Sequence, residues 1–336
     1  MVCIFCRSDS NLTNEHVFPA FMGGDLVVLN GSCRTCNGEF GVWEATIKDN
    51  TRFLLNLLQI ENRDGVVPTA KVNVGIRGLN VDGLFGIRDA GGEINLSNIV
   101  INKEAQDGKK HREGFFVTKE AAERFVERCR KRGDQIKDLD LPPEIVIDAT
   151  HTLTLPFAFS LETRKVVAKI ALAALAHQYG TQYAVSDQFD ELRNVRTASN
   201  AQDLPLRIFA NKGFIESHVR TAYQHSVMCY LSAGMKKGWA IITLFGGLSY
   251  VVNIASQFNE RESRQFSIFY DARAREPLNP VVLANEMTLI GHVLSPGTKF
   301  EDKDAVDAQW FPIIAAYCAE AGIEVERIGA ARPKAE

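Results

Sequence analysis

Two Cys-x-x-Cys pairs lie close to the start of the chain and enclose a Glu-His pair. The cysteines are Cys3, Cys6, Cys33 and Cys36. Four thiolates suit a structural zinc ion, which prefers four soft ligands in a tetrahedron. A disulfide or redox pair is the alternative, but Cys-x-x-Cys pairs in an intracellular chain more often bind zinc. The spacing therefore predicts a zinc site made from two short turns.

The residues between and just after these pairs could carry out hydrolysis. His16 can take a proton from water near neutral pH, so it is a candidate general base. Glu15 and Asn37 offer the oxygen atoms that Mg²⁺ or Mn²⁺ prefers, and they leave other coordination positions open. The plainer alternatives are a packing role for His16 and a helix N-cap role for Asn37. The combination predicts a catalytic divalent ion beside a general base.

These residues also carry a resemblance to a known family. The pattern CIFC…NEHVFPAFMGG…CRTCN, over roughly residues 3–45, resembles the HNH endonucleases of the ββα-metal fold, in the subgroup with two zinc knuckles. The resemblance implies that His16 is the general base, that Glu15 and Asn37 bind the catalytic ion, and that the four cysteines bind zinc. Pro19 and the Gly23-Gly24 pair also match the pattern.

The sequence departs from the family pattern at several positions. Glu15 replaces the usual Asp, and Phe40 replaces the usual Lys. The asparagine that orients the base would fall at Val28, so either the nearby Asn30 or a backbone carbonyl takes that role. Glu44 is predicted to be an exposed carboxylate in preference to an extra metal ligand.

The order of apolar and polar residues predicts an α+β fold in three parts. Residues 1–60 form the zinc-stapled ββα module, 61–150 a strand-rich linker or recognition region, and 151–330 an α+β companion domain with antiparallel strands. The segment LETRKVVAKIALAALAHQYG predicts a long helix that ends at Gly180, and HSVMCYLSA, KGWAIITLFG and LSYVVNIAS predict a three-stranded meander. A further helix is expected to begin or kink near Pro312.

Charge and composition restrict the class of protein. The formal net charge is −3, so no global basic field attracts nucleic acid or an acidic membrane. Residues 1–60 are themselves acidic, so attraction to DNA phosphates would come from elsewhere in the chain or from a partner. The N-terminus does not resemble a signal peptide, and no stretch approaches about 18 consecutive apolar residues. A cytoplasmic protein with reduced thiols and no membrane contact is expected.

The functional expectation is a metal-dependent endonuclease that cleaves DNA. By analogy, a small nuclease head on a larger region suggests a bacterial restriction or anti-phage defence effector, gated by a nucleotide or protein partner that binds the C-terminal region. A non-catalytic zinc-binding interaction module is one alternative, and the presence of Glu15, His16 and Asn37 argues against it. An RNA-directed nuclease is the other alternative, and the sequence does not separate it from a DNA nuclease.

Overall fold

The chain folds into a mixed α+β structure with antiparallel sheets, as predicted. The computed structural model describes residues 1–76, 79–88, 94–96, 99–104, 110–115, 119–134, 147–150, 156–279, 291, 293 and 295–320. The chain divides into two compact units. The first comprises Met1–Thr51, Ile60–Val66 and Thr154–Glu336, and the second comprises Arg52–Gln59 and Val67–Leu153.

The N-terminal part of the first unit is a ββα module. Strands β1 (Leu12–His16) and β2 (Val27–Cys33) pair antiparallel, with His16 opposite Val27 and Leu12 opposite Cys33. Helix α1 (Arg34–Leu57) follows β2 directly. The predicted ββα arrangement is thus confirmed.

The second unit is rich in strands. A four-stranded antiparallel sheet has the order β5 (Ile94–Leu96), β4 (Leu79–Arg88), β3 (Ala70–Ile76) and β8 (Ile147–Thr150), and β6 (Ile99–Glu104) pairs with β7 (Lys110–Phe115). Helix α2 (Lys119–Lys131) is followed by Gly133 with a φ of 79°. The sequence predicts that this helix is capped by Thr118, which lies outside the described residues.

Helix α3 (Leu161–Tyr179) lies in the interior of the first unit. Ser160 caps it, because its side chain accepts a hydrogen bond from the Thr163 amide, and Gly180 follows its last turn with a φ of 87°. Every residue from Thr163 to Ala176 is buried, although three of them are cationic: Arg164, Lys165 and Lys169. A helix that is buried on all sides must pair any charge it carries with groups from other elements.

Four further α-helices of the first unit have described bounds. They are α4 (Thr181–Ala184), α5 (Asp190–Asn194), α6 (Lys212–His218) and α7 (Lys303–Glu320). The predicted C-terminal helix begins at Lys303, and Pro312 lies inside it. None of the helices in the described ranges is long and apolar enough to cross a membrane.

A seven-stranded antiparallel sheet forms the largest layer. Its order is β14 (Glu276–Leu278), β13 (Arg264–Asp271), β10 (Gln224–Ser232), β11 (Lys237–Leu244), β12 (Leu248–Ala255), β9 (Leu206–Ala210) and β15 (Lys299–Phe300). The predicted meander is its centre, as β10, β11 and β12. Helix α3 contacts β11 and β12, whereas α6 packs against Met228 and Tyr230 through Phe214 and Ile215. Because side chains alternate between the faces of a strand, both faces of β10 are buried.

The compact units do not follow the three predicted segments. Residues 1–51 belong to the same unit as residues 154–336, and the end of α1 belongs to the strand-rich unit. The domain boundaries near residues 60 and 150 stay predictions.

Candidate metal centre and active site

The four N-terminal cysteines meet at one end of the ββα module. Cys3 and Cys6 lie in the turn before β1, Cys33 ends β2, and Cys36 lies in the first turn of α1. Their sulfur atoms all lie within 4.8 Å of one another, and the Sγ atoms of Cys6 and Cys33 are 3.6 Å apart. Four thiolates at about 2.3 Å from one ion would be separated by roughly this distance. The cluster is therefore compatible with a structural zinc ion.

A cation from the larger region stands beside this cluster. The guanidinium of Arg196 donates to the Cys36 sulfur at 3.2 Å and to Glu39 Oε2 at 3.1 Å. Burial would lower the pKa of Arg196, but the facing Cys36 and Glu39 outweigh it and raise the pKa. Because four thiolates on Zn²⁺ leave a net negative charge, a fixed guanidinium stabilises the loaded cluster.

His16 ends β1 and is half-buried. Burial lowers the pKa of His16, and the positive charge of Lys169 lowers it further. The imidazole is therefore neutral near pH 7, which is the form that accepts a proton. Neighbouring residues in a strand point to opposite faces, so Glu15 points away from the side of the strand that His16 occupies.

The Glu15 carboxylate is buried and ion-paired. Its side chain is 3% exposed, and its Oε1 lies 2.6 Å from the ammonium of Lys169 on α3. The same ammonium lies 2.8 Å from Oε1 of Glu44 on α1. Burial by itself would lower the pKa of Lys169, but the two carboxylates outweigh it and raise the pKa, so the ammonium stays charged. One cation thus joins β1, α1 and α3 at the core of the candidate site.

Asn37 lies in the first turn of α1 and is exposed. Its side-chain amide nitrogen donates to Thr13 Oγ1 at 3.1 Å, which fixes the amide and leaves its carbonyl oxygen outside that bond. Because α1 begins at Arg34, Asn37 lies inside the helix and is not its N-cap. The alternative that Asn37 serves as a cap therefore does not hold.

Glu15 and Asn37 have the atoms that a hard divalent ion requires. Oε2 of Glu15 is buried and has no hydrogen-bond partner among the described residues. Together with the Asn37 carbonyl oxygen, it is a ligand of the kind that Mg²⁺ and Mn²⁺ prefer. Both oxygens are chemically suited to such an ion, while the other oxygen of Glu15 is already held by Lys169.

Asn30 lies in the middle of β2, in a left-handed conformation with a φ of 52°. Its side chain donates to the sulfur of Met1 at 3.4 Å, and its backbone amide donates to Asn14 Oδ1 at 3.2 Å. None of these described contacts involves His16, whose cross-strand partner is Val27. The orienting role of Asn30 stays a prediction.

The loop between β1 and β2 is fixed to the large sheet. Gly23 has a φ of 83°, and a Cβ atom there would lie 2.2 Å from the carbonyl oxygen of Ala272. Tyr270 donates its hydroxyl to the Gly23 carbonyl oxygen at 3.1 Å. The ring of His225 donates through Nε2 to the Met22 carbonyl oxygen at 3.1 Å. The first glycine of the pair therefore permits close contact of this loop with the end of β13.

The sequence pattern did not indicate Lys169, and its prediction for Glu44 is wrong. The Glu44 side chain is 22% exposed and is paired with Lys169, whereas an exposed carboxylate was expected. The sequence did contain a signal for this contact, because a lysine inside the apolar run of α3 needs a buried partner.

The structure also explains why Phe40 replaces the family's lysine. Phe40 is buried and its ring packs 4.6 Å from that of Phe5.

Comparison with known proteins bears on the module alone. Residues 3–43 match a family model described as HNH endonuclease. No curated protein and no solved structure matches the chain significantly. The matched segment contains β1, β2, the four cysteines, Glu15, His16 and Asn37. Two strands, a helix and a four-cysteine cluster accompany this match, so the N-terminal module of this chain is similar to the HNH endonucleases over residues 3–43.

Proposed function

We propose that this protein is a metal-dependent nuclease that hydrolyses phosphodiester bonds in DNA. The observation that carries the proposal is His16, a half-buried imidazole with a lowered pKa at the end of β1, in a segment that matches the HNH endonucleases. A non-catalytic zinc module would need neither this histidine nor the paired Glu15 and Asn37.

In this mechanism His16 takes a proton from the attacking water. His16 is only half-buried, and its lowered pKa favours the neutral form that accepts the proton. Glu15 and Asn37 would hold Mg²⁺ or Mn²⁺, which supplies charge stabilisation for the phosphate. Asn30 is the remaining candidate for orienting the base. The zinc cluster has a structural role, because it joins the N-terminal turn to the junction of β2 and α1.

The choice of substrate and the biological setting extend the proposal. DNA is proposed as the substrate. The alternative is RNA, and cleavage assays on DNA and RNA of matched sequence distinguish the two. A small nuclease module within a larger α+β unit suits a restriction or anti-phage defence effector in the cytoplasm. Its six acidic and four basic residues over positions 1–60 favour an activator or partner that assists DNA binding.

The experiment is cleavage of supercoiled plasmid by the full chain with Mg²⁺ or Mn²⁺. Wild type is compared with His16→Ala and with His177→Ala, which removes an exposed histidine of α3. Loss of a general base should slow cleavage by roughly 10²- to 10⁴-fold, while His177→Ala cleaves as wild type does. Equal cleavage by wild type and His16→Ala would refute the role of His16. A labelled RNA of the same sequence, in parallel, assigns the substrate class.

A further inference from the structure

The Lys169 ammonium contacts Glu15, the carboxylate that is proposed to bind the divalent ion of the nuclease. It contacts Oε1 of Glu15 at 2.6 Å and Oε1 of Glu44 at 2.8 Å. Its side chain is 2% exposed, so solvent does not screen this contact. Oε2 of the same Glu15 carboxylate has no hydrogen-bond partner in the described part of the chain. One oxygen of Glu15 is thus paired with Lys169, and the other has no partner among the described residues.

The charges in this cluster favour competition between the lysine and a metal ion. Two carboxylates and one ammonium carry a net charge of −1. A divalent ion on Glu15 would stand next to a fixed ammonium at low exposure, where like charges repel strongly. Glu15 can therefore offer its full negative charge to a divalent ion only when its ion pair with Lys169 is broken.

We propose that Lys169 is a built-in competitor for the catalytic ion, so that the position of α3 sets how readily the nuclease module binds metal. This inference rests on the proposed function, because it assigns the regulation of the same site. Helix α3 belongs to the larger region, contacts β1 and β2, and is buried along almost its whole length.

The same helix provides a matched control. Lys165 lies one turn before Lys169 and is also buried, but its ammonium donates to the Arg196 carbonyl oxygen at 3.1 Å and lies 4.4 Å from the ring centre of Trp43. None of the described contacts of Lys165 involves Glu15. Substituting either lysine by methionine removes one buried ammonium from α3 and keeps an unbranched side chain.

The experiment measures Mn²⁺ binding to the zinc-loaded full chain. Free Mn²⁺ is followed by electron paramagnetic resonance, and the Mn²⁺-dependent rise in Tm is recorded in parallel. Lys169→Met should bind Mn²⁺ roughly tenfold tighter or more, because the competing cation is gone and both carboxylates remain. Lys165→Met should bind Mn²⁺ as wild type does.

A second variant separates competition from net charge and guards against misfolding. Lys169→Met leaves the buried Glu15 and the half-buried Glu44 without their cation, and the loss destabilises the chain when no metal is bound. The double variant Lys169→Met with Glu44→Gln has the same net charge as the wild-type cluster and only one buried carboxylate. Tighter Mn²⁺ binding by this variant supports competition by the ammonium itself.

The outcomes are distinct from those of the nuclease test. If the folded double variant binds Mn²⁺ no tighter than wild type, Lys169 is only a structural ion pair and the inference is overturned. If Mn²⁺ binding tightens but no chain cleaves nucleic acid, competition by Lys169 stands and the proposed nuclease function fails. If wild type cleaves nucleic acid but Mn²⁺ binding is unchanged in both Lys169 variants, the nuclease function stands and competition by Lys169 fails.

Discussion

The buried His225 should make the first unit sensitive to acid. Its Nδ1 accepts a hydrogen bond from the Phe245 amide at 3.1 Å, so the proton lies on Nε2, which donates to the Met22 carbonyl oxygen. The ring also packs against those of Phe18 and Phe245. Protonation of Nδ1 would break the bond to Phe245 and place a charge among aromatic rings.

The size of the effect follows from the pKa of this ring. Burial lowers the pKa of His225 from 6.5 to about 4. The unfolded chain therefore binds the proton more readily, so the contribution to stability is complete above about pH 6.5 and is lost as the pH falls toward 4. One pKa unit corresponds to about 1.4 kcal/mol, so the free energy of unfolding should fall by about 2.5 kcal/mol between pH 7.5 and pH 4.5.

Guanidinium denaturation at a series of pH values measures this loss. All three tryptophans, Trp43, Trp239 and Trp310, belong to the unit that contains His225, so their fluorescence reports its unfolding. The variant His225→Gln keeps a side-chain N–H for Met22 and removes the titrating ring. Differences between wild type and variant at each pH cancel the titration of other groups, including release of metal from the cysteines.

We expect wild type to lose about 2.5 kcal/mol more than His225→Gln over this range. The variant should be less stable at pH 7.5 and approach wild type at pH 4.5. Parallel pH dependences for the two proteins would refute the assignment of a neutral, buried His225.

Two other substitutions test the zinc cluster and the loop that follows β1. The chain should contain one zinc ion with four sulfur ligands at about 2.3 Å by X-ray absorption, and Cys36→Ser should lose zinc and lower Tm, whereas Cys129→Ser should keep it. Zinc retained at full occupancy in Cys36→Ser would contradict the four-cysteine assignment. Gly23→Ala should cost about 2 kcal/mol or more, because the residue has a φ of 83° and its Cβ would meet the Ala272 carbonyl oxygen. Gly41→Ala, in the open face of α1, should instead stabilise by about 0.5–1 kcal/mol, and equal effects of the two changes in thermal unfolding would disprove the steric role of Gly23.

Local features were predictable where the physical reason is itself local. The two cysteines of each Cys-x-x-Cys pair are three residues apart, so their spacing alone predicts that the two sulfurs face one ion. The tight turns of the β10–β12 meander and the terminal glycine of α3 likewise depend on neighbouring residues. The ββα module and the α+β class could therefore be predicted.

The sequence by itself determined the four-cysteine cluster, which is compatible with zinc, and the ββα module that carries the candidate base His16. Only the tertiary structure decided which charges meet at Glu15. Lys169 and Glu44 are 125 residues apart, so no periodicity relates them. Their contact forms because α3 is buried against β1 and β2, where a lysine can remain charged only beside carboxylates.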